Sequence, residues 1–153
     1  MAVAISTLQR AVRIPAVRLL RLAEITLRAL GRPGAEVHLT FVTDARITKL
    51  NKQHRGVRER TDVLAFPLEG PGPSRLLGEV IISAERARRQ ARRLGVPLAL
   101  ELSLLVVHGL LHLVGYDDRE PLEARLMHER ARALLASASR PVPERLWRGL
   151  LSA

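Results

Sequence analysis

The stretch Leu102 to Asp118, LSLLVVHGLLHLVGYDD, constrains this chain most, because it sets two histidines in an otherwise apolar run and then ends it abruptly. His108 and His112 are four apart, so on a helix they stand one turn apart on the same face, near enough to hold one metal ion between them. Their neighbours are Leu, Val and Gly. A helix of that composition is buried nearly all round, and a buried imidazole needs a partner for each ring nitrogen to offset its desolvation. A metal is one such partner. Gly115 is the residue most able to end the helix in a left-handed turn, which doubles the chain back and places Asp118 as a third ligand.

Two histidines at this spacing, taken alone, also describe a packed or surface pair. The Gly115 turn and the Asp118 carboxylate favour the metal. The order of His108, His112, Gly115 and Asp118 follows the ligand spacing of metzincin peptidases except at one position. Those enzymes carry a glutamate directly after the first histidine as general base, whereas Gly109 has no side chain to take a proton. The spacing can hold zinc but lacks the peptidase's base.

At 153 residues the chain suits a single domain, 1–153, that can bury a core without staples. It has no cysteine, so disulfides and thiolate zinc sites are excluded and a metal must use His, Asp or Glu, a set suited to a hydrolytic ion with open coordination. The apolar run, broken by the histidines, falls short of the roughly 20 residues that span a bilayer. A soluble protein with no membrane partner is expected.

The net charge of +10 favours a polyanion such as nucleic acid. It is concentrated in two segments: residues 1–35 set six Arg against Glu24, and residues 84–100 set five Arg against Glu85. Either segment can also be read as solvated helix surface. With four aromatic residues in the chain, base stacking is a minor mode, leaving phosphate contact and shape.

Taken in order, Ala2 to Ser6 reads as a strand. Thr7 to Leu30 reads as an amphipathic helix carrying Leu19, Leu22, Ile25, Leu27 and Leu30, ended by Gly31 and Pro33; an organelle transit peptide is the weaker alternative. Val37 to Val42 alternates as a half-buried strand with His38 exposed, and Thr43 and Asp44 cap a short helix to about Gln53. A basic loop, Asn51 to Arg60, feeds a strand from Thr61 to Phe66 that Pro67 ends. After the Gly/Pro-rich turn Gly70 to Ser74, a strand resumes from Leu76 to Ile82, with Gly78 marking a bulge or close backbone approach. Ser83 caps an Arg-rich helix to Gly95, and Pro97 opens the histidine helix in its first turn. Pro121 to Ala138 forms a last helix through Leu122, Leu126, Leu134 and Leu135, and Trp147 packs the tail onto the body. The interleaving predicts an α+β fold, a small mixed four-stranded sheet covered by helices.

These residues carry a family resemblance. HGLLHLVGYDD resembles the signature of the YbeY family of metal-dependent endoribonucleases, in which two histidines, a Gly-Tyr-Asp turn and a third histidine form the site. TDVLAFP at Thr61 to Pro67 is similar to that family's Thr-Asp-Val-Leu-Ser-Phe-Pro strand, and LGEVIIS at Leu77 to Ser83 to its Leu-Gly-Asp strand. Arg55 falls where the family has a functional arginine. The similarity runs from about Val37 to Asp118. Three departures stand out: Asp118 replaces the third histidine, Ala65 a serine and Glu79 an aspartate. A carboxylate oxygen is an acceptable zinc ligand, and it makes the site one unit less positive and the ion a weaker Lewis acid. Asp117 matches the family's own aspartate, and His128 is the other candidate third ligand.

The resemblance implies a single-strand-specific, zinc-dependent endoribonuclease, with one ion per chain, that acts in ribosomal RNA maturation at the small-subunit 3′ end and in ribosome quality control in a bacterial cytoplasm. Its partners are then ribosomal RNA and the small ribosomal subunit, with no DNA substrate. Arg55 would stabilise charge building on the phosphate, while Asp62 and Glu79 would be either acceptors orienting the histidines or strand-end charges. Two other classes remain open: a metal-dependent peptidase or other hydrolase, and a nonenzymatic RNA-binding assembly factor with a structural metal.

Overall fold

A computed structural model describes residues 2–53, 62–68, 76–138 and 143–147. Strands β1 (Val3–Thr7), β2 (Glu36–Val42), β3 (Val63–Pro67) and β4 (Leu76–Ser83) form one sheet in the order β1-β2-β4-β3. β1, β2 and β4 are parallel, and β3 closes the edge antiparallel to β4. Among the described residues, five bounded helices accompany it, α1 (Ala16–Ala29), α2 (Asp44–Gln53), α3 (Ala84–Leu94), α4 (Leu98–Leu113) and α5 (Pro121–Ala138), and 145–147 are also helical. This is the expected α+β architecture with a mixed four-stranded sheet.

Side-chain parity divides the sheet into two faces. Val37, Leu39 and Phe41 of β2, Val63 and Ala65 of β3, and Val80 and Ile82 of β4 meet α1, α3 and α4 in the main core. Val42, Leu64 and Ile81 meet Ile47 of α2 on the other face. Helix α5 lies behind α4, packing Met127, Ala131, Leu134 and Leu135 against Leu104, Val107 and Leu111. This layering explains the composition of α4: Leu102, Leu105, Val106 and Leu110 serve the sheet while Leu104, Val107 and Leu111 serve α5, so no face is left for water. Each such leucine contributes roughly 1.5–3 kcal/mol of transfer free energy.

Two glycines set how closely α4 approaches the sheet. A Cβ at Gly109 would stand 2.4 Å from Val80 Cγ1, and one at Gly78 would meet Leu113 Cδ2 at 2.7 Å and the Phe66 carbonyl oxygen at 2.5 Å. α4 therefore runs antiparallel across β4, its C-terminal end over the start of that strand. Gly78 also sits at a register shift, since Glu36 pairs with Leu76 but Val37 with Gly78, so the expected bulge and the close approach coincide.

Most helix ends follow from local chemistry. Thr43 Oγ1 accepts from the Arg46 N–H at 3.2 Å, and Ser83 Oγ accepts from the Arg86 N–H at 3.2 Å. Gly95 ends α3 in the left-handed conformation. Three expectations need correction. α1 starts at Ala16 rather than Thr7, because Thr7 belongs to β1 and Pro15 disfavours helix in the residue before it, leaving Leu8–Ile14 as a connection pinned by Gln9, whose side chain bonds both the Val12 N–H and its carbonyl. Pro97 is the residue before α4, extended at ψ 143°, not its first helical residue. The buried stripe of α1 is Leu19, Leu22, Ala23, Thr26 and Leu27, with Ile25 turned outward, and on α5 Leu122 and Leu126 are also exposed. In the tail, Leu146 and Trp147 are buried, as the sequence leads one to expect.

Candidate metal centre

α4 ends in a turn that accounts for its carbonyl groups. The Gly115 N–H donates to the His112 carbonyl at 3.1 Å and the Tyr116 N–H donates to the Leu111 carbonyl at 3.0 Å, the paired bonds of a Schellman cap. Gly115 supplies the positive φ of 104° that this reversal needs. Tyr116 packs against the core between α4 and α5, anchoring the far side of the turn. The chain then returns past the helix end. Asp117 fixes the return, because its Oδ1 accepts from the Asp118 N–H at 2.7 Å while its Oδ2 pairs with Arg119 Nε at 3.3 Å.

The outcome is a three-donor cluster. The Nε2 atoms of His108 and His112 are 3.1 Å apart, and Asp118 Oδ2 lies 3.8 Å from the first and 3.9 Å from the second. Candidate ligand atoms of the three residues all fall within 4.8 Å of one another. Ligands about 2.0–2.1 Å from a tetrahedral ion sit about 3.3 Å from each other, so small movements of Asp118 would bring this set to the spacing zinc requires. His108 is buried, while Asp118 is a quarter exposed and marks the open side.

The electrostatics suit a cation. Burial pushes the His112 pKa down, and the Asp118 carboxylate, the Tyr116 backbone and Asp117 pull it up without cancelling that effect. His112 is therefore neutral at pH 7, with a lone pair to offer.

The structure treats the other sequence candidates differently. Arg55 lies outside the described residues. His128 sits on α5 with its ring 6.3 Å from Trp147, outside the donor cluster. Glu79 lies on the α2 face, since Gly78 and Val80 on either side of it face α4; its Oε2 accepts from Thr40 Oγ1 at 3.0 Å. It does not orient the histidines. Asp62 is buried at the start of β3, and its carbonyl accepts from the Ser83 N–H at 2.9 Å. Gly109 gains a second meaning: its missing side chain admits the sheet, and a base at this position would collide with Val80. Asp117 is the residue that sequence reasoning left without a role. Its signal was its place after Gly115 and Tyr116, where a short carboxylate can bond the next backbone N–H.

An α+β fold whose central helix and helix-ending turn present two imidazoles and a carboxylate defines a class of protein, a candidate metal-dependent hydrolase. The particular family follows from comparison. A family model described as "Endoribonuclease YbeY" matches residues 5–139, and the chain belongs to that family. It is 45% identical over 130 residues to "Endoribonuclease YbeY" of Anaeromyxobacter dehalogenans, covering 80% of this chain and 67% of that relative. To the protein of the same name from Moorella thermoacetica it is 46% identical over 127 residues, covering 76% of this chain and 81% of the relative. A second Anaeromyxobacter relative is covered over 66% of its length, so the chain spans about two thirds of those two proteins. The solution structure of TM1509 from Thermotoga maritima superposes with a TM-score of 0.57 at 27% identity, covering 98% of this chain and 92% of that one.

Proposed function

We propose that this chain is a zinc-dependent endoribonuclease acting on ribosomal RNA, with one ion held by His108, His112 and Asp118. The observation that carries the reading is the cluster itself: a neutral imidazole, its partner one turn away and a carboxylate, with ligand atoms within 4.8 Å and one side open. Bound there, zinc would supply Lewis acidity, lowering the pKa of a water and polarising a phosphoryl oxygen. The chain's own residues do the rest. Asp118 lowers the net charge of the donor set by one unit, and Asp117 holds its backbone in place. Arg55 would bind the phosphate undergoing attack, its planar fork matching two oxygens better than a lysine would.

Membership of the YbeY family supports the RNA substrate, and the net charge of +10 supports a polyanionic partner. Ribosomal RNA maturation and ribosome quality control are the proposed setting, with the small ribosomal subunit as partner and the cytoplasm as location. Among the described residues no helix is long and apolar enough to cross a membrane. The blocked position 109 weighs against a metzincin-type peptidase.

Metal analysis beside cleavage of ribosomal RNA, with and without chelator, tests the proposal. His108→Ala and His112→Ala should each lose both metal and cleavage, whereas Arg55→Ala should keep the metal and lose about 10²–10³-fold in rate. Histidine variants that cleave at the parent rate in chelator would overturn the catalytic assignment.

A further inference from the structure

At the opposite end of α4 from the histidines lies a groove of about 1270 Å³ between the start of α1, the start of α4 and the end of α5. Its floor is apolar: Ile14, Val17, Ile25, Pro97 and Leu100 line it, over Leu22 and Leu135. Val17 is 66% and Ile25 44% exposed. They are eight residues apart on α1, two turns, so they span about 12 Å along one face.

The rim is cationic without compensation. Arg13, Arg18, Arg21 and Arg145 line the groove, and no Asp or Glu does. Arg145 donates to the Gly95 carbonyl at 3.1 Å, and no described carboxylate pairs with Arg13, Arg18 or Arg21. The start of α1 aggravates this. Pro15 precedes it with no side-chain cap, and the first turn holds no acid. Arginines beside the positive end of a helix dipole are unfavourable unless an anion sits with them.

We propose that this groove docks an acidic amphipathic helix of a partner protein, its apolar side chains on Val17, Ile25 and Leu100 and its carboxylates on the arginine rim. The floor favours a protein over RNA, since phosphates gain nothing from Ile14, Val17 or Ile25 and none of the lining residues is an aromatic that could stack a base. A second copy of this chain fits poorly because it would bring a net +10 of its own. Residues 148–153 contain Arg148 and no acidic side chain, so they are not complementary either. Leu100 and His108 are eight helical residues apart, about 12 Å, so a docked helix leaves the donor cluster accessible. The groove would then position the enzyme on an assembly without blocking cleavage.

The test uses the full chain and three labelled probes: a helical peptide of about four turns with leucines along one face and glutamates on its flanks, the same peptide with lysines for glutamates, and a 12-nucleotide single-stranded RNA. The glutamate peptide should bind at least tenfold more tightly than the lysine peptide. Its affinity should fall at least tenfold in both Arg18→Glu/Arg21→Glu and Val17→Asp/Ile25→Asp, while the RNA cleavage rate of the Val17→Asp/Ile25→Asp variant stays within twofold of the parent. Equal affinity for the two peptides, or no binding of either, would overturn the proposal. So would a charge-reversed variant that loses RNA affinity and keeps the peptide, which would make the groove an RNA surface. None of these outcomes touches the assignment of His108, His112 and Asp118, which cleavage reports separately.

Discussion

α4 and α5 lie against each other and have similar lengths, 16 and 18 residues, yet they are built on different terms. α4 runs between the sheet and α5 and buries nearly every residue after its first turn. α5 covers only one side of α4 and leaves the rest of its surface to water. A buried helix holds its polar residues fixed because every neighbour is already packed, and a covering helix tolerates change because water fills any space. The two imidazoles belong to the first kind. The third donor hangs from the turn between the two helices, where the packing loosens.

That contrast can be broken at graded cost. The largest effect belongs to the turn: on the proposed assignment Asp118→Ala should weaken metal binding by more than about 100-fold, since ligand loss exceeds the cost of losing an outer partner, yet leave the melting temperature of the metal-free protein within about 2 °C. Metal titration beside a thermal melt reads both, and a large drop in the metal-free melt would show that the turn is structural. Within α4, Leu110→Ala removes a fully buried side chain between helix and sheet and should cost about 2–5 kcal/mol in denaturant unfolding.

Gly109→Ala should cost about 1–3 kcal/mol despite alanine's better helix propensity, because the new methyl meets Val80. A stabilised variant would show that α4 can lift from the sheet. On α2 and α3, Asp44 tests an electrostatic tie: burial raises its pKa, but Arg86 and Arg89 outweigh that and hold it below 3.8. A lowered folded pKa means the unfolded chain binds more protons in that window. The stability from the Asp44 carboxylate is therefore complete above 3.8 and fades as pH falls through the lower folded value. Asp44→Asn should cost about 0.5–1 kcal/mol at pH 7 and progressively less as the pH falls through the folded value, measured by urea unfolding across that range. On the outer face of α5, Leu122→Ala should change stability by less than about 0.5 kcal/mol, since that side chain is 68% exposed; a larger loss would show that α5 is less of a cover than it is drawn.

The sequence revealed most where one local pattern decides the outcome. The histidine pair, the Gly115 turn and Asp118 lie within eleven consecutive residues, so helix geometry and turn chemistry were enough to bring them together. Strand alternation placed β2, the apolar run after the Gly/Pro-rich turn placed β4, and Ser83 and Thr43 marked helix starts through hydrogen bonds that the structure contains. What escaped depended on the other side of a contact. Periodicity could not say that Ile25 and Leu122 face outward, because that depends on which neighbour covers α1 and α5. The start of α1 was missed although Pro15 signalled it. For Glu79 the sequence leaves two readings open, an acceptor for the histidines or a strand-end charge, and the parity of Gly78, Glu79 and Val80 decides between them by putting it on the far face.

Position 109 has a consequence beyond fit. With only hydrogen between the α4 backbone and Val80 at this position, the helix that carries the imidazoles sits down on the strand between its flanking leucines and valines. Val80, which is not itself one of the donor residues, thus helps set the height at which α4 carries His108 and His112 over the sheet.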